Sequence, residues 1–161
     1  MTRREIPLDA AAIFSSLARH GVDYVLIGGL TVQAHGHVRT TQDVDLVPEP
    51  SSLDRLTDAL SDLNARPAGA GRAPAGWRLA DELRAPAATV GLDSDAGGID
   101  VHRDPPGAAP FHELRRRAMV IELGGVSVPV AGRDDLIAMK RAAGRPLDRG
   151  DVIALTQRPP D

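Results

Sequence analysis

The sequence predicts a domain of mixed α/β or α+β class, with a mixed β-sheet flanked by helices. Three observations lead there. Short apolar runs of strand length are interspersed with amphipathic helical runs, in no regular alternation. Two pairs of strand-like runs close on glycine-bearing turns, which is the mark of hairpins. The chain has 161 residues of which 42% are hydrophobic, enough for one core of ordinary size, so a single domain over 1–161 with its core at about 9–157 is expected.

The elements follow in order. Asp9 can cap a helix that carries Ile13, Phe14 and Leu17 on one face, runs to about His20 and stops at Gly21. "VDYVLIG" reads as a strand, and Gly28-Gly29 turns the chain into a short helix from about Leu30 to His35. "DVDLV" is a second strand, ended by Pro48 and Pro50. A helix from Ser51 follows, with Leu53, Leu56, Leu60 and Leu63 at helical spacing. "RPAGAGRAPAG" is a low-complexity exposed loop, expected to be flexible over about 64–76. The next stretch carries no clear period. "ATVGL" and "GIDVH" flank the turn "DSDAGG" as a hairpin. "FHELRRRAM" suggests a helix, and "VIEL" and "VSVPV" about Gly124-Gly125 a second hairpin. "DDLIAMKRAA" is a helix ending at Gly144, and "DRGDVIALTQ" a last short one.

Composition removes several classes of function. Aromatics are 2%, too few to build stacking platforms for single-stranded nucleic acid. Net charge is −3, against a broadly basic nucleic-acid surface, although Arg115-Arg116-Arg117 can form a local basic patch. With no cysteine there is neither a disulfide framework nor a thiolate metal site. No apolar run approaches the roughly 18 residues of a membrane span, so no membrane partner is expected. "MTRREIPLD" has no apolar segment behind its basic residues, so it does not read as a secretory signal, and the cytoplasm is the expected location.

Asp43 and Asp45 raise the functional question. Residues i and i+2 of a strand share a face, so the two carboxylates project together while Val44 and Leu46 face the core. Neighbouring carboxylates raise one another's pKa unless a cation sits between them. Hard oxygen donors suit Mg²⁺ or Mn²⁺, commonly completed by substrate phosphates. A D-x-D alone equally describes a solvated strand, but three features point beyond that. Gly28-Gly29, between a strand and a helix, lets phosphate approach backbone N–H groups, where otherwise it would be a simple tight turn. Asp100, between Ile99 and Val101, again projects opposite an apolar face. Lys140 is the only lysine in an arginine-rich chain, and the two cations are not equivalent as phosphate ligands. Arg39 and Thr41 share strand parity with the aspartates and can line the site or simply hold a turn. His102 shares parity with Asp100 and is expected to be an exposed histidine. Asp148 is expected to pair with a basic residue and hold the last helix.

In this order, the residues resemble the nucleotidyltransferase fold of the DNA polymerase β superfamily. Its pattern is a strand, a Gly-Gly or Gly-Ser turn opening a short helix, a D-x-D or D-x-E strand and a later carboxylate. Here these are Gly28-Gly29, Asp43 and Asp45, and Asp100. Within the superfamily the chain is similar to small prokaryotic relatives of the abortive-infection nucleotidyltransferase toxins. That likeness rests on His35-Gly36, Arg39, Thr41, Asp43, Asp45 and Leu46, then Asp135-Leu136, Lys140, Arg145-Pro146, Asp148 and Asp151, and it spans about Val22 to Leu155. Gly29 stands where many members carry a serine, and the chain is short compared with many of the toxins, which have a larger helical C-terminal part.

The resemblance implies a metal-dependent enzyme that moves a nucleoside monophosphate from a nucleoside triphosphate, ATP among them, to a hydroxyl. Asp43, Asp45 and Asp100 would be the catalytic and metal-holding residues. Gly28, Gly29, Lys140, Arg39 and Thr41 would bind the nucleotide, and Mg²⁺ or Mn²⁺ would be the cofactor. The implied partners are the nucleoside triphosphate, an acceptor such as tRNA or protein, and a cognate toxin or antitoxin. Two rivals stand beside this reading. A catalytically silent nucleotide- or partner-binding module is disfavoured by retention of all three carboxylates. A metal-dependent phosphohydrolase is disfavoured by the lack of a histidine-aspartate pair and by the upstream glycines.

Overall fold

The computed structural model describes residues 6–37 and 41–157. Among the described residues seven α-helices and seven strands follow in chain order. They are α1 (Ala10–Arg19), β1 (Tyr24–Ile27), α2 (Gly28–Ala34), β2 (Asp43–Pro48), α3 (Leu53–Asp62) and β3 (Arg66–Pro67). Then come α4 (Leu79–Arg84), β4 (Thr89–Ser94), β5 (Gly97–His102), α5 (Phe111–Arg116), β6 (Met119–Leu123), β7 (Val126–Val130), α6 (Arg133–Ala143) and α7 (Pro146–Thr156). All strands join one sheet of order β3-β4-β5-β2-β1-β7-β6. The sheet is mixed: β1 runs antiparallel to β2 but parallel to β7, and β2 runs parallel to β5. The two hairpins expected from the sequence are β4–β5 and β6–β7.

Strand parity divides the core. Leu26, Val44, Leu46, Ile99 and Val101 point to one face and meet Ile13, Phe14 and Leu17 of α1 and Leu56 and Leu60 of α3. Each fully buried leucine there contributes roughly 1.5–3 kcal/mol relative to exposure. Phe14 stacks on Tyr24, with ring centroids 6.4 Å apart. Burial pushes the Tyr24 hydroxyl pKa up, partly offset by the Arg115 charge. On the other face Val25, Ile27 and Val47 pack with Leu114 of α5 and Met139 of α6. A smaller cluster joins Val32, Leu136, Ile137 and Leu155, and so ties α2, α6 and α7 together.

Local signals account for the ends of several helices. The Asp9 side chain accepts from the Ala12 N–H and caps α1, and Gly144 in the left-handed conformation (φ 66°) closes α6. The structure departs from the sequence reading at four places. Gly28 and Gly29 are the first turn of α2 rather than a turn before it. Pro48 continues β2, opposite Tyr24. A 3-10 turn, Pro50–Ser52, precedes α3. Part of the stretch read as loop, Arg66–Pro67, adds to the sheet edge as β3 against Leu92 and Asp93. The stretch without a clear period holds α4, which buries Leu79 and Leu83 one helical turn apart. No helix among the described residues is long and apolar enough to cross a membrane.

Candidate active site

The parallel pairing of β2 with β5 assembles the acidic side chains. In that register Asp45 stands opposite Asp100, and Asp43 lies two residues back along β2 opposite Gly98. Their parity opposes that of Val44, Leu46, Ile99 and Val101, so all three carboxyl groups lie on the face away from α1 and α3. They line one cavity of about 380 Å³ together with Gly28, Gly29, Thr41, Lys140 and Arg145. Every site residue expected from the sequence borders this cavity except Arg39, which lies outside the described residues. The Thr41 hydroxyl also donates to the Asp43 carbonyl at 3.3 Å, so it holds the entry to β2 as well as the cavity edge.

Gly28 is required by packing as well as by conformation. Its φ is 77°, and a Cβ built there would stand 2.2 Å from Oδ2 of Asp45 and 2.9 Å from its Cβ. The Asp45 carboxylate thus occupies the space a side chain at 28 would take, directly over the start of α2. His102 holds the same carboxylate from β5. Its Nε2 lies 2.9 Å from Oδ1 of Asp45, and its Nδ1 lies 3.2 Å from the Thr89 hydroxyl. His102 is therefore a partner of Asp45 at the cavity wall, which corrects its reading as an exposed histidine. The signal was its parity with Asp100.

The helical wall carries a network of buried charge. Lys140 Nζ lies 3.3 Å from both Asp148 Oδ1 and Asp151 Oδ2, and all three residues are buried. Arg145 joins them, with Nε donating to Asp148 Oδ2 at 2.6 Å and Nη2 to Oδ1 at 3.1 Å. His37 Nε2 reaches Asp151 at 3.9 Å. Asp148 was expected to pair with a basic residue and hold the last helix, and it pairs with two. Burial raises its pKa, but the Arg145 hydrogen bond and the Lys140 charge outweigh this and hold it below the usual carboxylate range. The arginine run at 115–117 is neutralised rather than an open basic patch. Arg115 pairs with Asp23, Arg116 with Glu113, and Arg117 with Glu113 and Asp135.

Known structures share this fold. The chain superposes on the lincosamide antibiotic adenylyltransferase LnuA, solved with lincomycin bound, with a TM-score of 0.63 at 15% identity, covering 94% of this chain and 98% of that one. The fold is nucleotidyltransferase-like. The antibiotic-resistance factor ANT(2″)-Ia matches with a TM-score of 0.56 at 15% identity over 89% of this chain and 78% of its own. A Thermotoga maritima protein assigned as a nucleotidyltransferase matches with a TM-score of 0.54 at 15% identity, over 91% of this chain and 89% of its own. No protein-family model and no curated protein sequence has a significant match to the chain.

Within this nucleotidyltransferase-like fold the acidic face suits a hard divalent cation of the kind the sequence implied. Among the described residues no three acidic or histidine side chains form a metal cage by themselves. Mg²⁺ does not need one, since it keeps waters and is commonly held by one or two carboxylates plus substrate phosphates. The seating of Asp45 over the side-chain-free Gly28 leaves its oxygens beside the backbone at the start of α2. The sequence reading quoted Arg145 for the resemblance and left it without a role of its own. The clue was its place three residues before Asp148, at a helix start.

Proposed function

We propose that the chain is a metal-dependent nucleotidyltransferase. It would move a nucleoside monophosphate from a nucleoside triphosphate to an acceptor hydroxyl. The acceptor oxygen forms a bond to the α-phosphorus, the bond from that phosphorus to the β-bridging oxygen breaks, and pyrophosphate leaves. The observation that carries this reading is the register pair Asp45 and Asp100, with Asp43 on the same face, in one cavity with Gly28 and Gly29.

Asp43, Asp45 and Asp100 would contribute carboxylate oxygens to Mg²⁺ or Mn²⁺, with substrate phosphates and water completing the site, and the cation would offset charge on the triphosphate and on the attacking and leaving oxygens. Asp100 would also accept the proton of the attacking hydroxyl. Gly28 and Gly29 would offer backbone N–H groups to the phosphates. Thr41 would close the edge of the site, and Arg39 keeps its phosphate role from the motif alone. Lys140 would balance triphosphate charge from its place between Asp148 and Asp151. His102 would hold the Asp45 carboxylate in its pose.

Among the structural neighbours LnuA is a lincosamide antibiotic adenylyltransferase and ANT(2″)-Ia is solved with adenylyl-2″-tobramycin, which supports a small-molecule hydroxyl as acceptor beside the RNA 3′ end and protein hydroxyls. A role in a toxin–antitoxin or phage-defence pair rests on the sequence resemblance alone. The test is incubation with each labelled nucleoside triphosphate and Mg²⁺ or Mn²⁺, offering total tRNA, cell protein, lincosamides and aminoglycosides. Transfer that disappears in Asp43→Asn and Asp45→Asn is the expected result. Label transfer that survives both substitutions overturns the proposal. Tight nucleotide binding without turnover would instead mark a silent binding module.

A further inference from the structure

Arg145 and Lys140 border the same cavity, but their charges are committed differently. The Lys140 side chain is 8% exposed, and its ammonium sits between two buried carboxylates. The Arg145 side chain is 70% exposed and yet held in one pose. Nε and Nη2 engage both oxygens of Asp148, and the Arg145 backbone N–H donates to Oδ2 at 3.2 Å. Asp148 is fully buried, and Lys140 braces it from the other side at 3.3 Å. A guanidinium has five donors in a rigid plane. Fixing its Nε–Nη2 edge on a carboxylate aims the Nη1 end away from that carboxylate. Among the described residues Nη1 has no hydrogen-bond partner.

The exposed guanidinium also feels the acidic site. Its pKa is raised first by the Asp148 hydrogen bond and then by the charges of Asp148, Asp45 and Asp151. A cation within reach of Asp45, on the helical wall of a cavity whose other wall is the acidic strands, is placed where an anionic ligand would bridge the two.

We infer that Arg145 is a further residue that grips the triphosphate in this cavity, donating from Nη1 to its terminal phosphate oxygens. Asp148 is the positioning residue that presents the guanidinium, and Lys140 fixes Asp148. The inference takes the identity of its ligand from the proposed nucleotidyl transfer.

The experiment is titration calorimetry of the full chain with inorganic tripolyphosphate, with a nucleoside triphosphate and with the matching nucleoside, all in Mg²⁺. The variants are Arg145→Gln, Arg145→Lys and Asp148→Asn, each with a melting curve. Arg145→Gln should weaken both triphosphate ligands about 10- to 100-fold, the size of a lost charge-assisted hydrogen bond. It should leave the nucleoside unchanged, with the chain still folded at the titration temperature although its melting temperature falls with the lost pairing to Asp148. Arg145→Lys keeps the charge but loses the fork, so it should remain at least about fivefold weaker than wild type. Asp148→Asn should weaken triphosphate binding although it adds no negative charge to the cavity, as expected when the guanidinium loses its anchor. Wild-type affinity for tripolyphosphate in both Arg145 variants overturns the inference, and so does a wild-type chain that binds no tripolyphosphate. A chain that binds triphosphate through Arg145 but labels no acceptor overturns the transfer proposal and supports this one.

Discussion

The Asp45 carboxylate lies where the side chain of residue 28 would be: a Cβ on Gly28 would stand 2.2 Å from Oδ2 and 2.7 Å from Cγ. Gly28→Ala therefore meets two penalties. An alanine at φ 77° costs about 1–2 kcal/mol, and the methyl must displace the carboxylate or the start of α2. The expected outcome is a melting temperature lower by a few degrees and label transfer reduced by more than about tenfold. Transfer at the wild-type rate in a folded Gly28→Ala chain would show that the pose of Asp45 is unimportant.

His102 tests the same carboxylate from the other side. His102→Ala removes the 2.9 Å contact to Asp45 at a part-buried site on the cavity wall, outside the apolar core clusters, so the fold should persist. Transfer should fall about tenfold, in line with one hydrogen bond to a charged group. His102→Gln, which retains a donor, should recover part of the loss. Steady-state rates across a Mg²⁺ titration measure both, and equal loss in the two variants would argue against a positioning role.

Lys140 holds the buried acids together. Lys140→Met leaves Asp151 without its ammonium partner and Asp148 with Arg145 alone. Breaking a buried pair in this way costs about 3–5 kcal/mol. Urea denaturation should show that drop in the midpoint at unchanged slope. The double variant Lys140→Met, Asp151→Asn should restore part of it. A single variant as stable as wild type would mean that the two acids find other cations.

The depressed pKa of Asp148 makes stability depend on acid. Its ordinary value is 3.8, and burial, which raises it, is outweighed by Arg145 and Lys140. A folded-state value below the unfolded one stabilises the protein above the unfolded pKa, and that contribution disappears as pH falls through the folded one. Melting curves of wild type and Asp148→Asn should therefore differ by a constant amount above about pH 5 and converge as pH drops below about 4. A gap that widens toward acid would contradict this.

Gly107 lies on the loop beside Pro105 and Pro106, which border the cavity. A Cβ there would stand 2.5 Å from the Ala138 carbonyl oxygen and 2.8 Å from the Ala142 Cβ, at φ 81°. The obstruction includes helix backbone, so the loop itself must move off α6. Gly107→Ala should cost about 1–3 kcal/mol. It should also speed hydrogen exchange over 103–110, with nucleotide affinity falling in parallel. Unchanged exchange in that segment would show that α6 yields instead.

The site was legible where it depended on one strand at a time. Alternation along "DVDLV" and "GIDVH" placed Asp43, Asp45 and Asp100 opposite the apolar residues, because side chains change face at every residue whatever the strand pairs with. The contact of His102 with Asp45 was hidden, since it exists only when β5 lies beside β2. β3 was hidden for a similar reason: two residues, one of them proline, have no strand signal without β4 to pair with. α4 carries a single apolar repeat, Leu79 and Leu83, too short for a period to stand out.

By itself the sequence determined the mixed class, both hairpins, most helix ends and the outward parity of the three carboxylates. Those features follow from backbone geometry and from residues a few positions apart. Only the tertiary structure decided that Asp45 faces Asp100, that its carboxylate fills the space over Gly28, and that Lys140 is held between Asp148 and Asp151 while Arg145 stays open to the cavity. Charges choose partners by distance and burial, and both are set when distant segments pack together.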